Sequence, residues 1–287
     1  MRFRIVYATA YKYSKAVRDN LNVLRLKPAT TPHQTVDDFS LRVDPEARLH
    51  QYRDYFGAEV IEFGVTEPHR RLSIEARMHV TTREQPVDPD GAWAAIAEPS
   101  YRAAAGEQLF QTEIPPEDGR IAKLLAAARG ATPLATAHTI TELIPDRFDY
   151  RSGSTFVGST VSDLLDGGAG VCQDFVHLGL MLMRELGIGA RYVSGYLFAA
   201  PKDGGRDSVE VQTHAWLETL LTDTDGKMRW IGFDPTNRAR AGEAYVKIGH
   251  GRSYQDVAPI RGVYRGPAIS ELSAAVQMTR LIDDAAT

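Results

Sequence analysis

The chain contains 287 residues, which exceeds the usual size of a single domain and predicts two hydrophobic cores. Hydrophobic residues make up 43% and charged residues 24%, a balance typical of globular proteins and not of disordered or fibrous ones. The formal net charge is -4, with 33 Lys and Arg against 37 Asp and Glu. No basic excess is present to bind phosphates, so nucleic acid is excluded as an expected partner.

The first third of the sequence has the patterns of β-strands. RRLSIEARMHV, residues 70–80, strictly alternates apolar and polar side chains, as a half-buried strand does. Shorter strands are predicted in RFRIVY, VDDFSLRVD and EVIEFGV, with turn-rich pieces such as KPATTPHQ between them. Several short strands in succession indicate an antiparallel sandwich or sheet. REQPVDPDG, with two prolines and a glycine, is then predicted to be a linker or a long loop.

Helical patterns follow this linker. EDGRIAKLLAAARG predicts a helix that ends at Gly130. ATPLATAHTITELIPDRF predicts a second helix that begins near Pro133 and stops before Pro145. The chain is therefore predicted to belong to the α+β class. We expect an N-terminal antiparallel β-sandwich-like domain at residues 1–110 and a second domain at residues 111–287.

The only cysteine of the chain, Cys172, stands at the start of another helical pattern. Upstream, Thr160 and Asp163 have the spacing of a capping pair that opens a short helix, which Gly167 ends. After Cys172, apolar residues recur at three- and four-residue steps as far as Gly187. The glycines before Cys172 allow a close backbone approach to the helix N-terminus, whose dipole and unpaired N–H groups favour a thiolate. Without such a context, a lone cysteine is more often a small buried hydrophobe.

The segment THAWLETLLTDTDGKMRWIGFDPTN predicts a β-hairpin with its turn at DTDG. With the turn centred on Thr224, His214 lies opposite Asp234 and both side chains point to one face, whereas a one-residue slip turns Asp234 away. A carboxylate beside an imidazole fixes its tautomer and stabilises its protonated form, as a base for a thiol requires. The sequence thus predicts a thiol, imidazole and carboxylate set of Cys172, His214 and Asp234.

Metal and cofactor patterns are weak. Cys172 and His177 diverge by about 140° around a helix, so His177 is predicted to be a packed or capping histidine and not a ligand. The eight histidines contain no H-x-x-x-H pair, and DTDG lacks the oxygen ligands of a calcium loop. Neither a metal ion nor a cofactor is therefore expected.

The sequence also bears on compartment and membrane. The segment MRFRIVYATAYKY alternates charged and apolar residues and lacks the apolar run of a secretory signal. The most apolar stretch, FVHLGLMLM, is far shorter than the about 20 residues of a membrane span. A cytoplasmic location without a membrane partner is the expectation, and a single cysteine needs no oxidising compartment. The oligomeric state is left open.

Three segments, GAGVCQDFVHLGLMLMRELGIGARYVSGYLF, THAWLE and WIGFDPTN, resemble motifs of the transglutaminase-like superfamily. The resemblance covers residues 145–265 and is nearest to the bacterial type with an N-terminal β-rich domain, which YKYSKAV and LRLKP also resemble. It implies a papain-like second domain, in which the nucleophile helix packs on an antiparallel sheet.

Residue by residue, the resemblance implies that Cys172 is the nucleophile, His214 the general base and acid, and Asp234 the residue that orients His214. Two positions depart from the family pattern. Thr213 stands where serine often precedes the histidine, and Ser253 stands where aspartate is frequent. The second departure leaves the role of the GRSYQDV loop open.

The resulting hypothesis is a cysteine-dependent hydrolase of amide or peptide bonds that acts on a peptide or protein through a thioester acyl-enzyme. The alternatives are amine transfer to protein glutamine and a non-catalytic binding or scaffold module. An oxyanion hole needs the N–H of Cys172 and one further donor, with Tyr150 and Gln173 as candidates. The candidates for contact with substrate are Trp216, Arg252 and Asp256.

Overall fold

The computed structural model describes residues 1–85, 89–199, 208–211 and 213–281. Its strands are β1 (Arg2–Leu24), β2 (Gln34–Asp44), β3 (His50–Arg53), β4 (Glu59–Val65), β5 (His69–Thr82), β6 (Asp149–Tyr150), β7 (Ala169–Gly170), β8 (Ala190–Leu197), β9 (Ser208–Val211), β10 (Thr213–Thr222), β11 (Met228–Asp234), β12 (Ala239–Arg240), β13 (Tyr245–Gly251), β14 (Ile260–Arg265) and β15 (Ser270–Leu281). Its α-helices are α1 (Trp93–Ala97), α2 (Pro99–Ala105), α3 (Arg120–Ala128), α4 (Pro133–Arg147), α5 (Val161–Gly167), α6 (Cys172–Glu185) and α7 (Tyr254–Val257). A 3₁₀ turn spans Gly106–Leu109.

The N-terminal part is an antiparallel β-rich sheet, as the sequence predicts. Strand β1 has 23 residues, many more than RFRIVY suggests, and it is the centre of this sheet. Its first half pairs with β5 and β15 and its second half with β4 and β14. The alternation predicted in β5 is confirmed, because five apolar side chains point into the core with at most 1% exposure: Leu72, Ile74, Ala76, Met78 and Val80.

The sheet takes strands from both ends of the described chain. β15 pairs with β1 and with β9, and β14 also pairs with β1. Hydrogen bonding therefore crosses the predicted domain boundary at residue 110, since residues 260–281 complete the N-terminal sheet. In the other direction, Ile96, Tyr101 and Ala105 are buried in the core that surrounds α6. The division of the chain into one domain at residues 1–110 and another at residues 111–287 stays a prediction.

The second part confirms the α+β class. Five antiparallel strands follow the order β12-β11-β10-β8-β13, and α6 packs on one face of this sheet. The buried apolar side chains of α6 include Phe175, Leu178 and Leu182. At Gly179 an added Cβ would lie 2.5 Å from Cδ2 of Leu217 on β10, so the helix lies closely against the central strand.

The helices that the sequence predicts are present as α3, α4, α5 and α6, whereas α1, α2 and α7 were not predicted. The prediction that the second helix stops before Pro145 is wrong, because α4 continues to Arg147. Pro145 lies in the last turn, where the N–H of Phe148 still donates to the carbonyl of Ile144 at 3.0 Å, and Ile144 is fully buried. A proline this close to the helix end removes one hydrogen bond without exposing the packed face.

Two further expectations concern loops and membranes. The predicted linker REQPVDPDG falls partly outside the described residues, at 86–88, and its remaining residues are neither helix nor strand. In the part of the chain that the structure describes, no helix combines the length and the apolar character needed to cross a bilayer.

Candidate active site

Two glycines before Cys172 occupy backbone positions that other residues would fit poorly. Gly168 ends α5 with a φ of 65°, in the left-handed region that favours glycine. At Gly170 an added Cβ would lie 2.9 Å from Cβ of Asp174 and 3.0 Å from its Oδ2. Only glycine fits this approach, so the chain enters α6 tightly and Cys172 becomes its first residue.

The start of α6 is fixed by a buried carboxylate. Asp174 is 2% exposed, and its Oδ2 accepts the N–H of Val171 at 2.8 Å and the hydroxyl of Thr155 at 2.6 Å. A carboxylate in the first turn also interacts favourably with the positive end of the helix dipole. The partly exposed thiol of Cys172 is therefore held at a rigid helix N-terminus.

The hairpin of β10 and β11 has a different register from the predicted one. Leu217 pairs with Phe233, so the prediction that His214 lies directly opposite Asp234 is wrong by two residues. The carboxylate of Asp223 accepts the N–H groups of two loop residues, which lengthens the loop and moves its centre. A two-residue shift preserves the face of a side chain, so His214 and Asp234 still meet, with 2.7 Å between Nε2 and Oδ2.

Asp234 is fully buried and accepts several hydrogen bonds. Oδ2 accepts from His214, from the Tyr245 hydroxyl at 2.9 Å and from the Asn237 amide at 2.7 Å, while Oδ1 accepts the N–H of Thr236 at 2.9 Å. Burial alone would raise the pKa of Asp234, but the hydrogen bonds from His214, Asn237 and Tyr245 outweigh it and lower the pKa. The carboxylate is therefore ionised and rigidly oriented.

His214 joins this carboxylate to the thiol. Its side chain is 12% exposed, is hydrogen-bonded to Asp234, and lies close enough to Cys172 for the thiol to affect its pKa. Burial lowers the pKa of His214, but Asp234 and Cys172 more than compensate, and the pKa rises to about 9. At neutral pH the ring is an imidazolium, and a cation beside sulfur stabilises the thiolate. The imidazolium of His214 thus lies between the sulfur of Cys172 and a buried carboxylate.

The raised pKa of His214 predicts a pH-dependent stability. A group whose pKa is about 9 when folded and about 6.5 when unfolded stabilises the fold fully below pH 6.5, and this contribution is lost as pH rises through 9. The loss amounts to at most about 3 kcal/mol. Urea unfolding at pH 6 and pH 9.5 should show a larger loss in the wild type than in His214→Gln. Equal losses would contradict the assignment, since other titrating groups are common to both proteins.

The two oxyanion candidates lie beside the thiol. Tyr150 pairs with Gly170 in the short β6-β7 ladder, and its ring meets Phe175 of α6 edge-on at 6.2 Å. Burial raises the pKa of Tyr150, and its electrostatic interaction with Cys172 adds to this shift. Gln173 follows Cys172 in the first turn, where a helix provides no internal partners for backbone N–H groups. Their role as donors stays a prediction.

Of the three substrate-contact candidates, one lies beside His214 and two lie at the junction with the N-terminal part. Trp216 is 2% exposed and stacks behind His214, with ring centroids 6.4 Å apart. Arg252 binds Asp256 through both carboxylate oxygens, at 3.0 and 3.2 Å, next to Glu107. The guanidinium and the carboxylate thereby satisfy each other at the junction with the N-terminal part. A contact of these residues with substrate stays untested.

Sequence reasoning missed two residues of the site, Asn237 and Tyr245. Asn237 and Tyr245 both donate to Asp234, and only Asn237 had a local signal, its spacing of three residues in DPTN.

His177 accepts the N–H of Tyr254 at 3.4 Å and packs on a tyrosine ring, which agrees with a packed histidine. Burial and a nearby arginine lower the pKa of His177 to about 4, so it is neutral. Among the described side chains, no group of three His, Cys, Asp or Glu is arranged to hold a metal ion.

The antiparallel sheet with a thiol-bearing helix on one face is the papain-like class of α+β fold. Residues 3–81 match the family described as the bacterial transglutaminase-like N-terminal region, and residues 123–235 match the transglutaminase-like superfamily. The chain belongs to the transglutaminase-like superfamily, in the bacterial form that carries this N-terminal region.

Relatives and a solved structure extend along almost the whole chain. An uncharacterized protein of Mycobacterium leprae is 33% identical over 98% of this chain and 99% of its own length. An uncharacterized protein of Mycobacterium bovis is 31% identical over 99% of this chain and 94% of its own. A crystal structure from Cytophaga hutchinsonii, described as a "Putative Cysteine Protease", has a TM-score of 0.70 at 24% identity and covers 96% of this chain and 90% of its own. This last likeness establishes the shared fold.

Proposed function

We propose that the protein is a cysteine-dependent amide or peptide hydrolase that works through a thioester acyl-enzyme. The observation that supports this most directly is the 2.7 Å bond of His214 to Oδ2 of Asp234, with Cys172 close enough to contribute to the raised pKa of His214. Nucleophile, base and orienting carboxylate are then in mutual reach, which is the geometric requirement for covalent acyl transfer.

In the acylation step the Cys172 thiolate attacks the carbonyl carbon of a peptide or amide. The C–N bond then breaks, and the leaving amine takes the proton that the His214 imidazolium carries. Because Nε2 of His214 is bonded to Asp234, Nδ1 is the ring nitrogen available for this transfer. The negative oxygen of the tetrahedral intermediate accepts the N–H of Cys172 and one donor from Tyr150 or Gln173.

In the deacylation step neutral His214 removes a proton from water as the water attacks the thioester. The C–S bond breaks, the carboxylic acid leaves, and the thiolate and imidazolium form again. Asp234 keeps the ring in one tautomer throughout, supported by Asn237 and Tyr245. No redox partner or cofactor enters this cycle.

A screen with paired readouts tests the proposal. The wild type and Cys172→Ala are incubated with peptides and with glutamine- or isopeptide-linked amides, with and without a primary amine. We expect new carboxyl termini or ammonia in both conditions, and no product with Cys172→Ala. Incorporation of the amine in preference to water would favour amine transfer instead. Equal turnover by the wild type and Cys172→Ala would show that Cys172 takes no part in the reaction.

A further inference from the structure

A cavity of about 550 Å³ lies on the face of the five-stranded sheet that points away from α6. Trp216 and Glu218 line it and alternate along β10 with Leu217, which contacts the helix. The walls are the segments 29–34 and 56–58 of the N-terminal part. Small-molecule sites typically have a volume of about 300 to 1,000 Å³, so this cavity has the size of a ligand site. The three proposed catalytic residues are not among its lining residues.

The lining has a marked excess of positive charge. Glu218 is its single acidic residue, whereas its basic residues are Arg83, Arg191, Arg229 and Lys247, of which Arg229 is also paired at 3.8 Å with Asp223 outside the lining. The whole chain carries a formal net charge of -4, so this excess is local and opposite in sign to the protein. A concave site with one sign of charge concentrates ligands of the other sign.

The excess extends to the buried floor of the cavity. Oε2 of Glu218 lies 2.6 Å from Nζ of Lys247 and 2.6 Å from Nη2 of Arg191, and the three side chains are 9 to 14% exposed. One carboxylate therefore serves two cations. His250 lies 3.1 Å from Arg191, but its pKa is lowered to about 3 by burial and by both cations, so it adds no charge. A net positive charge among buried side chains costs free energy unless an anion binds beside it.

Flat apolar surface borders these charges. The guanidinium of Arg191 lies over the ring of Trp230 at 4.0 Å, which leaves the arginine both stacked and paired. Trp216, Tyr245 and Met228 continue the lining beside it. Such a surface suits an apolar or aromatic body attached to the anionic group.

The cavity is preformed, because its N-terminal wall is tied to β13. Gln34 is 4% exposed and its amide donates to the carbonyls of Ala29 and Lys247 at 2.6 and 2.7 Å. Oε1 of Gln34 accepts the N–H of Lys247 at 2.8 Å. The carbonyl of Lys247 also accepts the N–H of Ala29 at 2.9 Å. A wall held by four hydrogen bonds has little entropy to lose when a ligand enters.

We propose that this cavity binds a small organic carboxylate, whose carboxyl group joins Glu218 as a second anion near Arg191 and Lys247 and whose apolar part lies against Trp230. The site is separate from the proposed hydrolytic centre, and its occupation requires no reaction at Cys172. Tyr245 lies between the two, since it lines the cavity and donates to Asp234.

Benzoate and benzamide test the proposal as a matched pair, because they share their shape and differ in charge. The full-length protein is titrated with each in low salt, by calorimetry and by tryptophan fluorescence. We expect one benzoate per chain and an affinity for benzamide at least about tenfold weaker. Lys247→Met, which leaves Glu218 paired with Arg191, should weaken benzoate binding by about tenfold or more.

The controls separate this site from general charge effects. Arg77→Gln removes one positive charge from the exposed face of β5 and should leave benzoate binding unchanged. If Lys247→Met does not fold by circular dichroism, Arg229→Gln on the cavity lining should weaken binding by at least about threefold. The proposal is overturned by equal affinities for benzoate and benzamide, by no benzoate binding, or by an equal loss in Arg77→Gln. Binding should persist in Cys172→Ala, so inactivity in hydrolysis would leave this proposal standing.

Discussion

Replacing His214 by alanine should slow the alkylation of Cys172 by iodoacetamide at pH 6 by about a hundredfold or more. In the wild type the imidazolium lies beside the sulfur and, with its pKa at about 9, stays charged at this pH. Only the thiolate reacts with iodoacetamide, and a free thiol with an ordinary pKa of about 8.5 is almost entirely protonated at pH 6. The rate is measured by mass spectrometry, and Cys172 is the single thiol of the chain.

His138→Ala is the matched control for this experiment. His138 is an exposed histidine of α4, and its replacement should leave the rate unchanged. Asp234→Asn should give an intermediate rate, because the ring keeps a hydrogen-bonding neighbour but loses the charge that stabilises the imidazolium. If the wild type and the three variants react only above pH 8 and at one rate, the thiol is not activated. That result would favour the non-catalytic alternative.

A chain that stops after residue 269 should lose about 4 kcal/mol of unfolding free energy or more. The deleted strand β15 pairs with β1 from Arg2 to Tyr13 and buries Val276 and Met278 almost completely. Each of these side chains contributes about 1.5 to 3 kcal/mol when buried, and an unpaired strand edge adds a risk of aggregation. Urea unfolding followed by circular dichroism measures the loss.

Two controls accompany the truncation. A chain that stops after residue 281 retains β15 and should unfold at the same urea concentration as the full chain. Glu271→Ala changes an exposed side chain of the same strand and should cost little. An unchanged midpoint in the shorter chain would mean that the N-terminal sheet does not depend on β15 for its stability.

The fold class and the start of the site were predictable because their signals are local. The alternation along β5 identifies its buried face without knowledge of any partner. The glycines and the helical pattern around Cys172 locate a helix N-terminus in the same way. His214 and Asp234 were brought to one face because side-chain direction survives any even shift of register.

Other features depend on contacts that the local sequence does not encode. The hairpin register follows from the hydrogen bonds of the Asp223 carboxylate, which decide how many residues the loop takes. Tyr245 reaches Asp234 from β13, a strand that is not adjacent to β11 in the sheet. β15 has mostly exposed side chains, and its partner β1 lies at the opposite end of the described chain. Such pairings appear only when the whole sheet is assembled.

The pairing of β1 with β15 also has a kinetic consequence. Of the described strands, β1 leaves the ribosome first and β15 last, so β1 lacks one of its neighbours until all the other described strands have been made. Contacts between such distant segments raise the contact order, which slows folding. Helix α6 and its sheet, whose partners lie closer in sequence, are expected to form earlier, and the thiol centre should mature before the N-terminal sheet closes.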